Sequence, residues 1–352
     1  MELELDLLIV GHGITGANLH LRAKQEGLTC AIFDLPEENQ SSSVAVGLFH
    51  PMAFRDSKFA WAGKEVFDEA LSFYKNIETD EPFIQELILY RVLESTEEHN
   101  RWRARMEEPP YKEVLDFSAR MDAIEAPFGL GKLRSCAKLN VANFIAKSIT
   151  SLTEGHYFQE AFNYEALDAE NGNFKTKGLS IQAKHIIFCE GLGVRKNPFF
   201  SHLPFHPAKG DLLKLRLGHD LKAAVNKKDF IAPSEDGLYW LGATYDNKAT
   251  EALPDEGAAK ALLESAKSFY ADKIVPLEHL AGIRPASYDR RPFVGSHHKY
   301  PKLSVLNGMG SKACLLAPHL SNLLLKSLQG EKEIPPEMAL DRVERYLKKK
   351  AD

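Results

Sequence analysis

The sequence predicts an α/β chain of two domains, and three observations lead to that reading. Its 352 residues exceed the size at which a single hydrophobic core usually stops growing. The first 34 residues run strand, glycine-rich turn, helix, strand. Elsewhere the apolar runs are strand-sized, and none approaches the roughly 20 residues that cross a bilayer.

Asp6 to Val10 reads as a buried strand. Gly11-His12-Gly13-Ile14-Thr15-Gly16 follows, and Ile14, Ala17 and Leu21 then recur at helical spacing. Gly27 stops the helix, and Thr29 to Phe33 forms a second strand that ends on Asp34. Such a βαβ unit suits a dinucleotide. Gly11 permits the tight turn, Gly13 lets a pyrophosphate approach the backbone, and Gly16 lets helix and strand pack closely. The helix N-terminus supplies N–H donors to the phosphates, and Asp34 is placed to accept hydrogen bonds from the adenosine ribose hydroxyls. A glycine-rich turn alone is weak, because such turns also arise for conformational reasons. The strand before, the helix after and the acid at the end of the next strand make it specific.

The motif does not separate FAD from NAD, but the chain beyond it does. An NAD fold would continue through regular βα units. Here Pro36 breaks the pattern into a polar stretch, Glu37 to Ser43, and then Val44-Ala45-Val46-Gly47-Leu48-Phe49-His50-Pro51. That interruption favours FAD, held non-covalently.

Composition bounds the function further. Hydrophobic residues make up 44% and charged residues 26%, as in globular proteins rather than disordered or fibrous ones. Met1 to Val10 carries acids and no basic leader, so a cytoplasmic location is expected. With 44 basic against 49 acidic side chains, the net charge of −5 exerts no global pull toward nucleic acid or anionic lipid. Lys348, Lys349 and Lys350 end a helix expected from about Glu337, where cations complement the helix dipole. Cys30, Cys136, Cys189 and Cys314 are far apart without metal spacing, and three sit in surroundings that predict buried free thiols. His206 and the pair His297-His298 lack ligand spacing and read as structural or exposed, so no metal is expected.

Further segments carry a resemblance. They are Ser42-Ser43 and the small-residue run to Gly47, closed by Pro51; His185-Ile186-Ile187-Phe188-Cys189-Glu190-Gly191; and His206-Pro207-Ala208-Lys209-Gly210-Asp211. Phe230-Ile231-Ala232-Pro233 with Tyr239-Trp240-Leu241-Gly242-Ala243-Thr244 comes next. Gly282-Ile283-Arg284-Pro285, continuing through Asp289 and Pro292 to Gly295, and Asn307-Gly308-Met309-Gly310-Ser311-Lys312 close the series. In this order they resemble the D-amino-acid oxidase and glycine oxidase superfamily of FAD-dependent oxidoreductases. The resemblance implies a Rossmann-type FAD-binding domain from residues 1–56, 134–206 and 277–352, with an inserted antiparallel-sheet substrate domain from 57–133 and 207–276. Along these pieces, Phe59 to Ile77 predicts an amphipathic helix, Leu87 to Leu93 a strand and Glu94 to Glu108 a helix stopped by Pro109-Pro110. Ala137 to Leu152 resembles a family helix entered through Asn140, and Phe158 to Glu160 a strand that touches adenine. His206 to Asp211 resembles a turn leading into the substrate domain.

Site residues follow from the same resemblance. Gly11, Gly13, Ile14, Thr15 and Gly16 take the pyrophosphate and Asp34 the ribose; Ser42, Ser43 and Gly47 pass the pyrophosphate and then the isoalloxazine; Gly191 approaches the cofactor. Gly308, Met309, Gly310, Ser311 and Lys312 form a last loop whose helix N-terminus faces the flavin pyrimidine ring and stabilises charge developing there. Arg284 sits where the family places its carboxylate-binding arginine, and its planar fork of donors suits a carboxylate. Lys312 either adds charge at the flavin edge or, as in the sarcosine oxidase branch, binds the substrate carboxylate. Phe230 replaces the family's tyrosine and cannot donate a hydrogen bond, leaving Tyr239, Trp240 and Tyr245 as substitutes or as packing. His50 reads as a satisfied polar residue near the cofactor, with a substrate contact, a flavin attachment point, and the base that a 2-hydroxy acid would require as its other readings. Asp289, Arg290 and Arg291 read as turn and seam residues.

The function implied is oxidation of a small amine or amino acid at its C–N bond by hydride transfer to flavin N5. Oxidation of a carboxymethylaminomethyl-modified uridine in tRNA, oxidation of a 2-hydroxy acid, and flavin binding without turnover are the alternatives. The electron acceptor is open.

Overall fold

The computed structural model describes residues 1–35, 41–61, 63–77, 80, 82–118 and 120–351, and for residues 348–351 the backbone alone. The polar stretch after Pro36 lies largely outside them, as do the side chains of Lys348 to Lys350. The chain divides into two compact units, Met1–Ser43 with Val141–Ala208 and Arg284–Asp352, and Val44–Asn140 with Lys209–Ile283. The first division falls at Ser43 rather than at residue 56 because Leu48 and Phe49 pair antiparallel with Lys138 and Ala137 at one end of the second unit's sheet.

The first unit is built on strand β1 (Glu2–Val10), helix α1 (Ile14–Gln25) and strand β2 (Cys30–Phe33). β1 lies parallel between β2 and the Leu179–Phe188 strand, with Leu7 to Val10 opposite Cys30 to Phe33 and Glu2 to Val10 opposite Ser180 to Phe188. The Leu179–Phe188 strand shares its outer edge. Its start pairs antiparallel with Asn173–Thr176, and its end pairs parallel with Leu303–Asn307. One face closes over a core of Leu8, Val10, Phe33, Phe174, Phe188, Phe293 and Val305. On the helical side α1 packs against the Val141–Thr150 and Ala313–Leu328 helices. The Ala313–Leu328 helix buries ten of its 16 residues, including Leu315, Leu320 and Leu324, which fits its place as a central rather than a surface helix.

The second unit is a nine-stranded, mostly antiparallel sheet. Phe230–Pro233 and Tyr239–Gly242 form a hairpin, with Phe230 opposite Gly242. Ser95 caps the Thr96–Met106 helix by accepting from the Glu98 N–H at 3.2 Å, while the Glu98 carboxylate accepts from the Glu94 N–H at 2.8 Å. This reciprocal arrangement satisfies two backbone donors at the helix start.

Three elements differ from expectation. Ala137 to Leu139 end a strand, Leu130–Leu139, and the helix begins only at Val141. Alternation of small and apolar residues fits either period, and the buried sheet decides it. The helix expected from Phe59 spans Gly63–Lys75, because Lys58 and Phe59 pair with Ala53 and Met52. Ala208 opens a strand to Leu217 rather than a turn, and its first six residues are buried.

Candidate functional site

Gly11, Cys189 and Gly191, and Asn307 with Gly308 stand just beyond or at the carboxyl ends of β1, the Leu179–Phe188 strand and the Leu303–Asn307 strand. In a doubly wound sheet the crevice outside these ends, where the order reverses about β1, is the ligand position. Local sequence explains why the backbone turns so closely here. Gly11 has φ +92°, and a Cβ on it would lie 2.7 Å from the Cys189 carbonyl oxygen. A Cβ on Gly16 would lie 2.0 Å from the Gly11 carbonyl oxygen, so turn and helix are in backbone contact.

Helix α1 begins at this turn with no local side-chain cap and no acid in its first turn. Ser42 reaches back across the motif, its Oγ accepting from the Ile14 N–H at 3.0 Å. Thr15 presents its hydroxyl to the Met309 sulfur at 3.9 Å, placing the Gly308–Lys312 loop beside the start of α1. That loop opens the Ala313–Leu328 helix, again without a side-chain cap or a first-turn acid. Two helix N-termini with no acidic side chain in the first turn form an electropositive backbone surface suited to phosphate and to developing negative charge. Asp34 stands at the end of β2, its Oδ1 accepting from the His12 N–H at 2.8 Å and its Oδ2 facing the Tyr157 hydroxyl at 3.5 Å. A carboxylate suits ribose hydroxyls and repels an additional phosphate. These residues therefore fit the adenosine, pyrophosphate and anionic flavin edge of FAD.

Arg284 ends the Ile274–Arg284 strand. The segment that follows is fastened to the loop: the Gly310 N–H donates to the Pro285 carbonyl at 3.2 Å, and Ala286 bridges to Met309. Arg284 Nη1 approaches the Ala208 carbonyl at 3.5 Å. Lys312 turns in the same loop, its N–H donating to the Met309 carbonyl at 3.0 Å, and burial holds its ammonium below the usual lysine value. Gly191 is held by the Asn307 side-chain amide, which donates to its carbonyl at 2.9 Å. Ser43 and Ser311 are exposed.

Other expected site residues sit in the second unit. Tyr239, which the sequence leaves open between substrate contact and packing, packs in the second unit's core. It is 5% exposed, and its hydroxyl accepts from the Leu221 N–H at 2.9 Å and lies 3.3 Å from Asp220 Oδ1. Tyr245 is 55% exposed, and Phe230 is half-buried against the core. Gly47 has a structural reason for being glycine. With φ +77°, a Cβ there would lie 1.9 Å from the Leu139 carbonyl oxygen. His50 Nδ1 accepts from the Met52 N–H at 3.2 Å, and its ring stacks on Phe54.

All four cysteines are buried free thiols. Burial pushes Cys30 and Cys314 up to about 12, which makes them inert at neutral pH. Among the described residues no group of three or more His, Cys, Asp or Glu is arranged to hold a metal ion, and no helix is long and apolar enough to cross a membrane.

Two polar clusters beside the site, one partly buried and one buried, carry no local sequence signal. Glu190 accepts from the Asn197 side-chain amide at 2.8 Å and pairs with the Tyr164 hydroxyl, and burial holds its carboxyl above the usual range. His12 and His20 both meet the Ser148 hydroxyl, each at 2.8 Å. Burial pushes His12 down to about 3 and His20 down to about 4, from 6.5. Both imidazoles are therefore neutral in the folded protein and protonate more readily once unfolded. The unfolded chain binds more protons between about pH 6.5 and pH 3, so stability contributed by the neutral rings is complete above 6.5 and is lost as pH falls toward 4. We expect the unfolding free energy from denaturant titration to fall between pH 6.5 and 4.5, by roughly 1 kcal/mol per histidine per pH unit at most. His20→Asn should flatten that slope, and an unchanged slope would contradict the assignment.

The fold and this site define a dinucleotide-binding oxidoreductase. The chain matches the family described as FAD dependent oxidoreductase over residues 6–326, and it belongs to that family. It is 21% identical over 355 residues to the glycine oxidase of Bacillus licheniformis, covering 94% of each chain. It is 24% identical over 367 residues to the tRNA 5-methylaminomethyl-2-thiouridine biosynthesis bifunctional protein MnmC of Idiomarina loihiensis, covering 96% of this chain. The chain spans little more than half, 58%, of that relative's length. Among solved structures, glycine oxidase from Bacillus cereus superposes with a TM-score of 0.77 at 18% identity, covering 94% of this chain and 96% of that one. Iminodiacetate oxidase from Chelativorans sp. BNC1 gives 0.77 at 18% identity, covering 96% and 98%.

Proposed function

We propose that the protein oxidises a small amine or amino acid bearing a carboxylate, at its C–N bond. Bound FAD would supply the two-electron acceptor, taking hydride from the α-carbon at N5. Arg284 holds the carboxylate, and the Gly308–Lys312 loop with its helix N-terminus stabilises the charge gained at the flavin edge. Lys312, its ammonium already destabilised by burial, adds to that stabilisation. No general base is required when the amine arrives neutral; orientation carries the rate.

The observation that carries this reading is the fastening of the Arg284–Ala286 segment to the glycine loop through Gly310 and Met309. One rigid backbone element thereby sets both the carboxylate partner and the flavin-edge donors. Two relatives are named for glycine and iminodiacetate, both amines with a carboxylate, and this supports the same substrate class. The test is an anaerobic panel of amines, amino acids and 2-hydroxy acids, read by bleaching of the flavin visible band. Bleaching by carboxylated amines is expected. A flavin that none of them bleaches would overturn the reading.

A second reading has one observation in its favour, the match over 96% of this chain to the bifunctional tRNA protein. In it, the oxidised amine is the carboxymethylaminomethyl arm of a tRNA uridine, whose carboxylate would take the same arginine. Against it stands the net charge of −5. Binding of tRNA across a salt series distinguishes the two, since phosphate contacts make affinity fall steeply with salt.

A further inference from the structure

The buried cluster behind the glycine turn has a polarity that can be worked out. His12 and Ser148 are 2% and 0% exposed, and His20 is 2% exposed. His12 Nδ1 is buried with no hydrogen-bond partner among the described residues. A buried N–H without a partner is rarer than a buried acceptor without one, so the His12 proton belongs on Nε2, where it is donated to Ser148 Oγ. The serine hydroxyl then donates its own proton to His20 Nδ1. One hydroxyl on the Val141–Thr150 helix thus joins the loop residue His12 to His20, which lies within α1.

The backbone of the same His12 donates to Asp34 Oδ1 at 2.8 Å. The His12 side chain therefore has one hydrogen-bond partner among the described residues, beside an edge-on contact with the Tyr157 ring, and its main chain orients the carboxylate at the end of β2. We propose that Ser148 is a positioning residue for the adenosine half of the cofactor: its hydroxyl holds His12 and His20 so that the His12 peptide presents Asp34 to the ribose. This rests on the reading of Asp34 as the ribose acceptor, and the controls below separate the two.

Apoprotein variants are titrated with FAD and with ADP, which carries the adenosine half alone. Ser148→Ala should weaken FAD and ADP by a similar factor, about 10-fold, because a buried imidazole loses its partner and the turn loosens. The visible spectrum of bound flavin should stay unchanged, since the isoalloxazine end is untouched. Asp34→Ala should weaken both ligands at least as much. The double variant should bind no worse than Asp34→Ala alone, because Ser148 acts through that carboxylate.

Losses that multiply in the double variant, or a Ser148→Ala loss seen with FAD and not with ADP, would overturn the proposal. ADP affinity undiminished by Asp34→Ala would instead overturn the ribose reading, and the proposal with it. Should Ser148→Ala fail to fold, His20 supplies the same test. His20→Asn keeps a hydrogen-bonding atom near the Nδ1 position and should retain affinity for both ligands, whereas His20→Leu should lose it about 10-fold. Equal affinity in the two His20 variants would reject the clamp.

Discussion

Arg284→Ala is expected to lower kcat/KM for a carboxylate-bearing amine by about 100- to 1000-fold, the equivalent of about 3 to 4 kcal/mol for a charge-assisted pair. An otherwise similar amine without a carboxylate should lose little, because it leaves no unpaired charge behind. Arg284→Lys should recover only part of the loss, since an ammonium is a point charge and lacks the planar fork. Flavin content should be unchanged in both variants. Stopped-flow reduction of bound flavin by the paired amines checks this directly. Equal losses with both amines would assign Arg284 to the integrity of its turn rather than to substrate. Such a role is physically reasonable, because the residues after it bond to the Met309 and Gly310 backbone.

Gly16→Ala should abolish stable flavin retention and lower stability by about 3 kcal/mol or more. The reason is geometric: the added Cβ would lie 2.0 Å from the Gly11 carbonyl oxygen, and a backbone oxygen cannot step aside as a flexible side chain can. Moving it displaces the turn that also carries His12 and its bond to Asp34. Gly27→Ala is the matched control. Its φ of +72° strains a side chain, but nothing lies within 4 Å of the added Cβ. It should cost about 1 kcal/mol and leave flavin bound. Absorbance ratios of purified variants and their thermal midpoints decide the matter. A Gly16→Ala protein that purifies yellow would refute the close-approach argument.

Local chemistry made the cofactor half of the molecule readable. Glycine spacing, apolar periodicity and an acid at a strand end each have a short-range cause, and Gly11, Gly16 and Asp34 occupy the positions those causes require. The residues that were not readable depend on long-range register. Tyr239 and Trp240 are neighbours in one strand and point to opposite faces, so only the packed sheet decides that Tyr239 goes inward. The close approach of the Leu139 carbonyl to Gly47 is likewise a long-range feature with no local signal. Ser148 carries no signal at all, because nothing local in a helical serine announces two histidines more than a hundred positions earlier.

β1 has β2 as an early neighbour, but its second parallel partner is residues 180–188, on the far side of the first piece of the second unit. During synthesis at roughly 5 to 20 residues per second, that partner leaves the ribosome about 10 to 40 s after the strand it must join. The sheet of the first unit therefore closes late, and one edge of β1, with its buried Leu7 to Val10, waits for chain not yet made. Slow, long-range closure of this kind exposes a nascent protein to aggregation, so its yield in cells should depend on chaperones more than its final stability would suggest.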